Sequence, residues 1–384
     1  MAHTLTLAAG IAALAIASCG GSSSSAGATS TASGSVAVSA TPMPLPSVAL
    51  TATVRSVDGT VEVLHVMRLD GTIVASVAVP DNPWNVNLPV VGHHVYFVDG
   101  TDVKAVAADG SIHTVTTLLL PDLSTMYGSA LGLTISPNEG EVAYGYAVGI
   151  NSSGTTYASR VFVAHVGGSP DPLLDVPADP TGFLLPFAWT NGGLWVSHTP
   201  IGLGGVGPFL NFRGLNPSLV DVNSGVIGPI ANGCPAASLP SDRPNGAFVC
   251  ATSGNQGLAV SLPDGSSRTL PNPAPSLQLG DLTLSADGAA LAVGTAMVNS
   301  SGDVGWSYQR IWVAATNSGR WSSVAPVGTL PVIWLDDSTL LVGHTMGGGP
   351  SSQYDSISLV KVATGAQTLI GHDPVAVGVL PATG

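Results

Sequence analysis

From Val48 onward, apolar and polar residues alternate in short runs, and Gly, Asp, Asn or Pro interrupts each run. A period of two places successive side chains on opposite faces of an extended chain, so the pattern predicts half-buried β-strands rather than helices. The strands recur in groups of four, about 35 to 50 residues apart, which is the spacing of propeller blades. The clearest pair of groups begins Leu133-Thr134-Ile135-Ser136-Pro137-Asn138-Glu139-Gly140 and Leu282-Thr283-Leu284-Ser285-Ala286-Asp287-Gly288. Each continues into an apolar strand, Val142–Tyr146 or Leu291–Gly294, then into Asn-Ser-Ser-Gly at 151–154 or 299–302. Each resumes as Arg160-Val161-Phe162-Val163-Ala164 or Arg310-Ile311-Trp312-Val313-Ala314.

This ordered repeat resembles the blades of TolB-like and WD40-like β-propellers, in which a Ser-Pro-Asp-Gly turn joins the innermost strand to the second. Asn-Glu-Gly and Ala-Asp-Gly stand in that turn here. The motif is a turn, so the resemblance implies a fold and transfers no functional residue. Further groups fall near 84–119, 183–231, 236–271 and 329–371. The first group, Leu50–Arg55, Val61–Leu69 and Ile73–Val79, lacks one strand, while the last run, Val375–Leu380, has no group of its own. Joining the two predicts an all-β propeller of seven four-stranded blades over residues 48–384, with the C-terminal strand closing the first blade. Closure also removes open sheet edges. Two stacked β-sandwiches are the competing architecture.

The N-terminus carries a different signal. Leu5 to Ser18 is apolar and small, too short for the roughly 20 helical residues that cross a bilayer but suited to a secretory signal. Cys19 follows, then Gly20, Gly21 and a Ser/Thr/Ala/Gly tract. This order resembles the lipobox of bacterial lipoproteins. It implies a signal peptide over 1–18, cleavage before Cys19 and acylation of that residue. Residues 19–47 then form a flexible tether spanning about 30 Å root-mean-square. The address implied is the outer face of the bacterial cytoplasmic membrane, with contact through the lipid alone. One departure is the n-region, Met1-Ala2-His3-Thr4, which has no Lys or Arg.

Composition narrows the partners. Only 9% of residues are charged, 48 are Gly and 29 Pro, and the formal net charge is −13. Such a balance disfavours nucleic acid and anionic headgroups. Besides Cys19 the chain has only Cys234 and Cys250; outside the cytoplasm an even pair suggests a disulfide, worth about 3 kcal/mol for a loop of this size. Two buried free thiols are the alternative.

Four connections between second and third strands, near 147–159, 199–217, 296–309 and 345–355, are long and rich in Gly and Ser. They carry Tyr157, Phe209, Phe212, Trp306, Tyr308 and Tyr354. Rigid amphipathic rings among small residues suit recognition, and these six residues define an expected binding face. The plainer reading is that the rings pack on neighbouring loops.

Other signals point to structure. His93 and His94 are adjacent and point to opposite faces of a strand, so they read as structural or solvent-exposed. His65, His165, His198 and His344 have no ligand spacing. Asp58, Asp70, Asp109, Asp264 and Asp287 each precede Gly and read as turn formers. Ser136 and Ser285 belong to the repeated turn, no Gly-x-Ser-x-Gly elbow occurs, and Gly202–Gly207 and Gly347–Gly349 lack the Lys-Ser/Thr of a phosphate loop. The terminal Leu380-Pro381-Ala382-Thr383-Gly384 matches a sortase motif without the apolar segment and basic tail such a signal needs. No catalytic residue, metal or cofactor is expected. The reading is a membrane-anchored binding or scaffolding propeller with a protein or glycan partner. The alternatives are a propeller hydrolase or lyase, and a carbohydrate-binding propeller.

Overall fold

The computed structural model describes residues 47–56, 59–79, 88–122, 129–150, 156–200, 214–230, 234, 236–238, 247–252, 257–262, 264–285, 287–298, 306–344, 356–372 and 374–380. Among these there is no helix. The strands form seven antiparallel sheets, numbered 1 to 7 here along the chain. In sheet 1 the C-terminal strand Pro374–Leu380 pairs with Ser47–Ser56, and Gly59–Arg68 and Ile73–Val79 follow. The register runs from Ser47 opposite Leu380 to Ala52 opposite Pro374, so the first and last strands of the chain close one sheet.

Sheet 2 comprises Val90–Val91, His94–Asp99, Asp102–Ala107 and Ile112–Thr117. Sheet 3 comprises Ser129–Ile135, Glu141–Gly149, Tyr157–His165 and Asp171–Asp179. Sheet 4 comprises Gly182–Thr190, Gly193–Pro200, Pro217–Val220 and Ile227–Pro229. Sheet 6 takes Gln278–Leu284, Ala290–Val298, Trp306–Ala315 and Trp321–Ser323, and sheet 7 takes Thr329–Asp336, Thr339–His344, Ser356–Lys361 and Ala366–His372.

Sheet 5 corrects the expectation. Six sheets have four strands rather than all seven, because Ala236–Ser238, Phe248–Ala251, Gly257–Ser261 and Ser267–Pro271 are joined by a fifth strand, Gly214–Leu215. That strand comes from the connection between the second and third strands of sheet 4. Leu215 pairs with Ala236 and Gly214 with Ala237. At the same time the Leu215 amide donates to Ser197 Oγ at 2.9 Å, and that hydroxyl donates to the Leu215 carbonyl at 3.0 Å. A buried side chain of sheet 4 thus satisfies the strand edge turned away from sheet 5, and the segment staples the two sheets together.

Period-two alternation gives each sheet two apolar faces, and each face is buried against a neighbour. One buried cluster spans each junction: sheets 1 and 2 meet through Leu64, Val66, Val95 and Leu380, and sheets 2 and 3 through Tyr96, Val103, Tyr144 and Phe162. Sheets 3 and 4 share Val161, Leu184 and Val196, and sheets 4 and 5 share Trp195, Cys234 and Cys250. Val249 and Leu291 join sheets 5 and 6, Ile311 and Leu340 sheets 6 and 7, and Ile333 and Val379 sheets 7 and 1. The succession returns to its start, which is a propeller arrangement and excludes stacked sandwiches. Fourth strands such as Asp171–Asp179 and Ser267–Pro271 lie at the exposed periphery.

The turns behave as their residues predict. Asp70, Asp109 and Asp264 each accept a hydrogen bond at Oδ1 from the backbone amide two residues on, and Asp287 does the same for Ala289. In the repeated turn Ser136 Oγ and Ser285 Oγ accept from Glu141 N and Ala290 N at 2.9 and 2.8 Å. Asp58 lies outside the described residues.

The repeat also carries one misfit. Phe162 of sheet 3 stacks on Tyr144 with ring centroids 5.0 Å apart, whereas its counterpart in sheet 6, Trp312, has an indole nitrogen that is buried without a hydrogen-bond partner among the described residues. An orphaned buried donor costs about 1–3 kcal/mol. Trp312→Phe is therefore expected to leave stability unchanged or raised by about 1 kcal/mol in equilibrium denaturation, the lost ring area offsetting part of the gain. A loss of that size would show that the indole is satisfied.

Candidate functional site

Antiparallel order divides the connections between two rims. First-to-second and third-to-fourth turns share one, here the turn rim. Second-to-third connections and the links between sheets share the other. On that second rim sheets 1 and 2 make tight turns, Ser56 to Gly59 and Asp99 to Asp102. Sheets 3, 4, 6 and 7 span longer distances in sequence: Gly149 to Tyr157, Pro200 to Pro217, Val298 to Trp306 and His344 to Ser356.

Of the six aromatic residues expected on this face, Phe209, Phe212 and Tyr354 lie outside the described residues. Trp306 and Tyr308 belong to a strand rather than a loop, opposite Val298 and Ala296. Tyr157 likewise opens a strand, opposite Gly149. Its ring packs on Phe183 of sheet 4, centroids 5.2 Å apart and planes tilted by 43°. The plainer reading of this ring holds in part, since it touches the adjoining sheet.

What Tyr157 stands beside was not singled out by the sequence. Across the ladder it pairs with Asp179, the last residue of sheet 3. Asp179 Oδ1 accepts from the Thr181 amide and hydroxyl, both at 2.6 Å, which fixes the carboxylate. The Thr181 hydroxyl and amide, with His198, hold its pKa below the usual carboxylate value. Its other oxygen lies 3.4 Å from His198 Nε2 on the second strand of sheet 4. Both side chains are about one-third exposed, at 34% and 35%. Gly182 allows this approach, since a Cβ there would sit 2.6 Å from His198 Cε1.

With Nε2–H donated to Asp179, the His198 tautomer leaves a lone pair on Nδ1. Neither that nitrogen nor the Tyr157 hydroxyl has a hydrogen-bond partner among the described residues. The mouth of the crevice between sheets 3 and 4 therefore assembles an oriented imidazole, a fixed carboxylate and two partly exposed rings, between two long connections. The one sequence signal was Asp179-Pro180-Thr181, an Asp-x-Thr turn signature in a link between sheets.

A second polar cluster lies on the turn rim. Glu139 occupies the turn position held in sheet 6 by Gly288, and it adopts a left-handed backbone, φ 57° against 75°. Its side chain crosses to sheet 2. Glu139 Oε2 is 2.5 Å from His94 Nδ1 and accepts from the Tyr96 hydroxyl at 2.7 Å, while Oε1 accepts from the His93 amide at 3.4 Å. Gly92 is required beneath it, because a Cβ there would lie 1.6 Å from Glu139 Oε1, and its own φ is 56°. His113 meets the His94 ring edge-on at 5.3 Å. Burial raises the Tyr96 pKa first, and Glu139 adds to it. For Glu139 itself burial works upward but is outweighed by the Tyr96 and His94 hydrogen bonds and the His94 charge, so its pKa is lowered. His94 thus serves the packing of sheets 2 and 3, hydrogen-bonded to a carboxylate that the sequence did not pair with it.

Cys234 and Cys250 are joined as a disulfide, with Cα atoms 5.4 Å apart, between the lead-in to sheet 5 and its second regular strand. Cys19 lies outside the described residues. Among the described residues no group of three His, Cys, Asp or Glu side chains is arranged to hold a metal ion.

No family model matches the chain, and no curated protein is similar to it. Solved structures are. A puromycin hydrolase aligns over 87% of this chain with 15% identity and a TM-score of 0.50, and the chain covers 54% of that protein's length. An oligogalacturonate lyase in complex with manganese aligns over 82% of this chain and 72% of its own, with 10% identity and a TM-score of 0.35. Virginiamycin B lyase from Staphylococcus aureus aligns over 77% and 92%, with 13% identity and a TM-score of 0.43. At these identities the likeness, carried by the hydrolase, is one of fold: the chain is a β-propeller.

Proposed function

We propose that the protein is an extracytoplasmic propeller, held at the outer face of the cytoplasmic membrane through acylated Cys19, whose long-connection rim binds a ligand. The observation that carries the binding reading is the asymmetry of the rims. Four of the seven second-to-third connections are long and all open on one side, where Tyr157, Asp179 and His198 also converge. On the other side lie short Asp-capped turns such as those at Asp70, Asp109, Asp264 and Asp287, with one longer connection from Ser238 to Phe248. The acidic chain favours a protein or glycan partner over nucleic acid.

A propeller hydrolase or lyase is the second reading, and the His198–Asp179 pair favours it. A carboxylate that orients an imidazole is the arrangement a general base requires.

Anchoring is tested with Cys19→Ser. In a bacterial host the parent chain is expected to incorporate radiolabelled palmitate and partition into Triton X-114, and the variant to do neither. A variant that still enters the detergent phase defeats the anchor. For the binding reading, the full-length protein is crosslinked on cells and compared with a Tyr157→Ala, His198→Ala double variant of equal melting temperature. Identical crosslinked species from both would remove the rim from the account.

A further inference from the structure

We propose that the crevice mouth between sheets 3 and 4 binds an uncharged pyranose ring of a glycan. The inference rests on the binding reading above and narrows it to one ligand chemistry. A pyranose presents an apolar C–H face and a perimeter of hydroxyl groups that both donate and accept. The crevice offers the complement of each. Tyr157 and Phe183 provide partly exposed ring surface 5.2 Å apart, contributed by two different sheets and therefore rigidly spaced. Beside them stand polar groups with unused capacity. The Tyr157 hydroxyl donates or accepts, and His198 Nδ1 accepts, with no partner for either among the described residues. The second oxygen of Asp179 receives only a long contact, 3.4 Å from His198 Nε2.

The imidazole is oriented by its Nε2 contact with Asp179, and Thr181 in turn holds Asp179. Groups fixed before the ligand arrives lose little entropy on binding it. Charge then selects among sugars. Asp179 is ionised, its pKa lowered, and the chain carries a formal charge of −13, so uronic and sulfated sugars are repelled. The nearest cation on sheet 3, Arg160, is occupied by Asp175 at 3.1 Å and does not offset this. An aromatic face, an oriented imidazole and a carboxylate with no free arginine beside it among the described residues describe a site for neutral sugars.

The full-length protein, solubilised in detergent, is applied to an array that carries neutral, amino-sugar and uronate glycans, and the neutral hits are titrated by calorimetry. Neutral glycans are expected to bind and uronates not to. Tyr157→Ala is expected to weaken binding about tenfold or more, through lost stacking and a lost hydroxyl contact. Tyr157→Phe, which keeps the ring, is expected to weaken it about fivefold. His198→Ala should lower affinity to a similar degree, while Trp312→Phe, in sheet 6, should leave it unchanged. Melting curves exclude misfolding of each variant. Binding only to aminated sugars or to uronates, or affinity indifferent to both Tyr157 and His198, overturns the proposal. If no glycan binds and the crosslinked partner of the parent chain is still lost in the double variant, the sugar assignment fails and the binding rim stands.

Discussion

Serine at both Cys234 and Cys250 is expected to cost about 3 kcal/mol of stability, because opening a loop of 16 residues returns chain entropy to the unfolded state. The position of the bond adds a local effect. The regular first strand of sheet 5, Ala236–Ser238, is only three residues long, and its ladder to the second strand is the pair Ala237–Cys250 and Ser238–Val249. Third-to-fourth turns lean on the outer strand of the preceding sheet, as the Gly167 amide does on the Val115 carbonyl at 2.8 Å. The junction of sheets 4 and 5 also has the inserted strand Gly214–Leu215 and the cluster of Trp195, Ile230, Cys234 and Cys250. Serine hydroxyls placed in that cluster need partners that its apolar walls do not supply, which raises the cost further. Calorimetry should show a melting temperature several degrees lower. Hydrogen exchange should place the first loss of protection in Phe248–Ala251 and Gly257–Ser261. Unchanged exchange in those two strands would mean that the disulfide is not what holds sheet 5.

The same junction shows why some of the fold was legible in the sequence and some was not. Period two, Asp-Gly punctuation and the Leu-Thr-x-Ser repeat are local signals, and they located strands but not all their ends: one strand begins at Ser47 rather than Leu50, and another runs to Val298 rather than Gly294. The missing strand of the first group and the surplus strand at 375–380 were complementary, so closure followed from counting. The strand Gly214–Leu215 could not be found that way. It is too short to alternate, and its partner lies in another sheet. The candidate site failed to show for a related reason. Asp179, Phe183 and His198 are unremarkable in sequence and acquire meaning only when the packing of sheets 3 and 4 brings them to Tyr157. Glu139 was visible as a departure from a turn consensus, yet its partners, His94 and Tyr96, are more than forty residues away.

Alanine at Glu139 is expected to cost about 2 kcal/mol near neutral pH. The residue pays for its reach with a left-handed backbone, which costs an L-residue about 1–2 kcal/mol. Removing the carboxylate keeps that strain and leaves the Tyr96 hydroxyl, on a side chain only 3% exposed, without its acceptor, a loss of about 1–3 kcal/mol. Glycine at the same position also loses the acceptor but relieves the backbone, so Glu139→Gly should be less damaging than Glu139→Ala by about 1 kcal/mol. The pH dependence follows from the lowered carboxyl pKa. The folded state binds this proton less readily than the unfolded chain, whose value is near 4.5, so the contribution is fully present above that pH. It is lost as pH falls through the lower folded value. Other groups face this carboxylate from sheet 2, namely His93, His94 and His113, with Asp109 beside His94. The comparison is therefore made between parent and Glu139→Gln, which keeps an acceptor oxygen and cannot ionise. Urea denaturation from pH 8 to 3.5 should show a gap between the two that is constant above about pH 5.5 and narrows below about pH 4.5. A gap that persists unchanged to pH 3.5, or an alanine variant as stable as the glycine one, would show that Glu139 neither carries charge across this junction nor strains the turn.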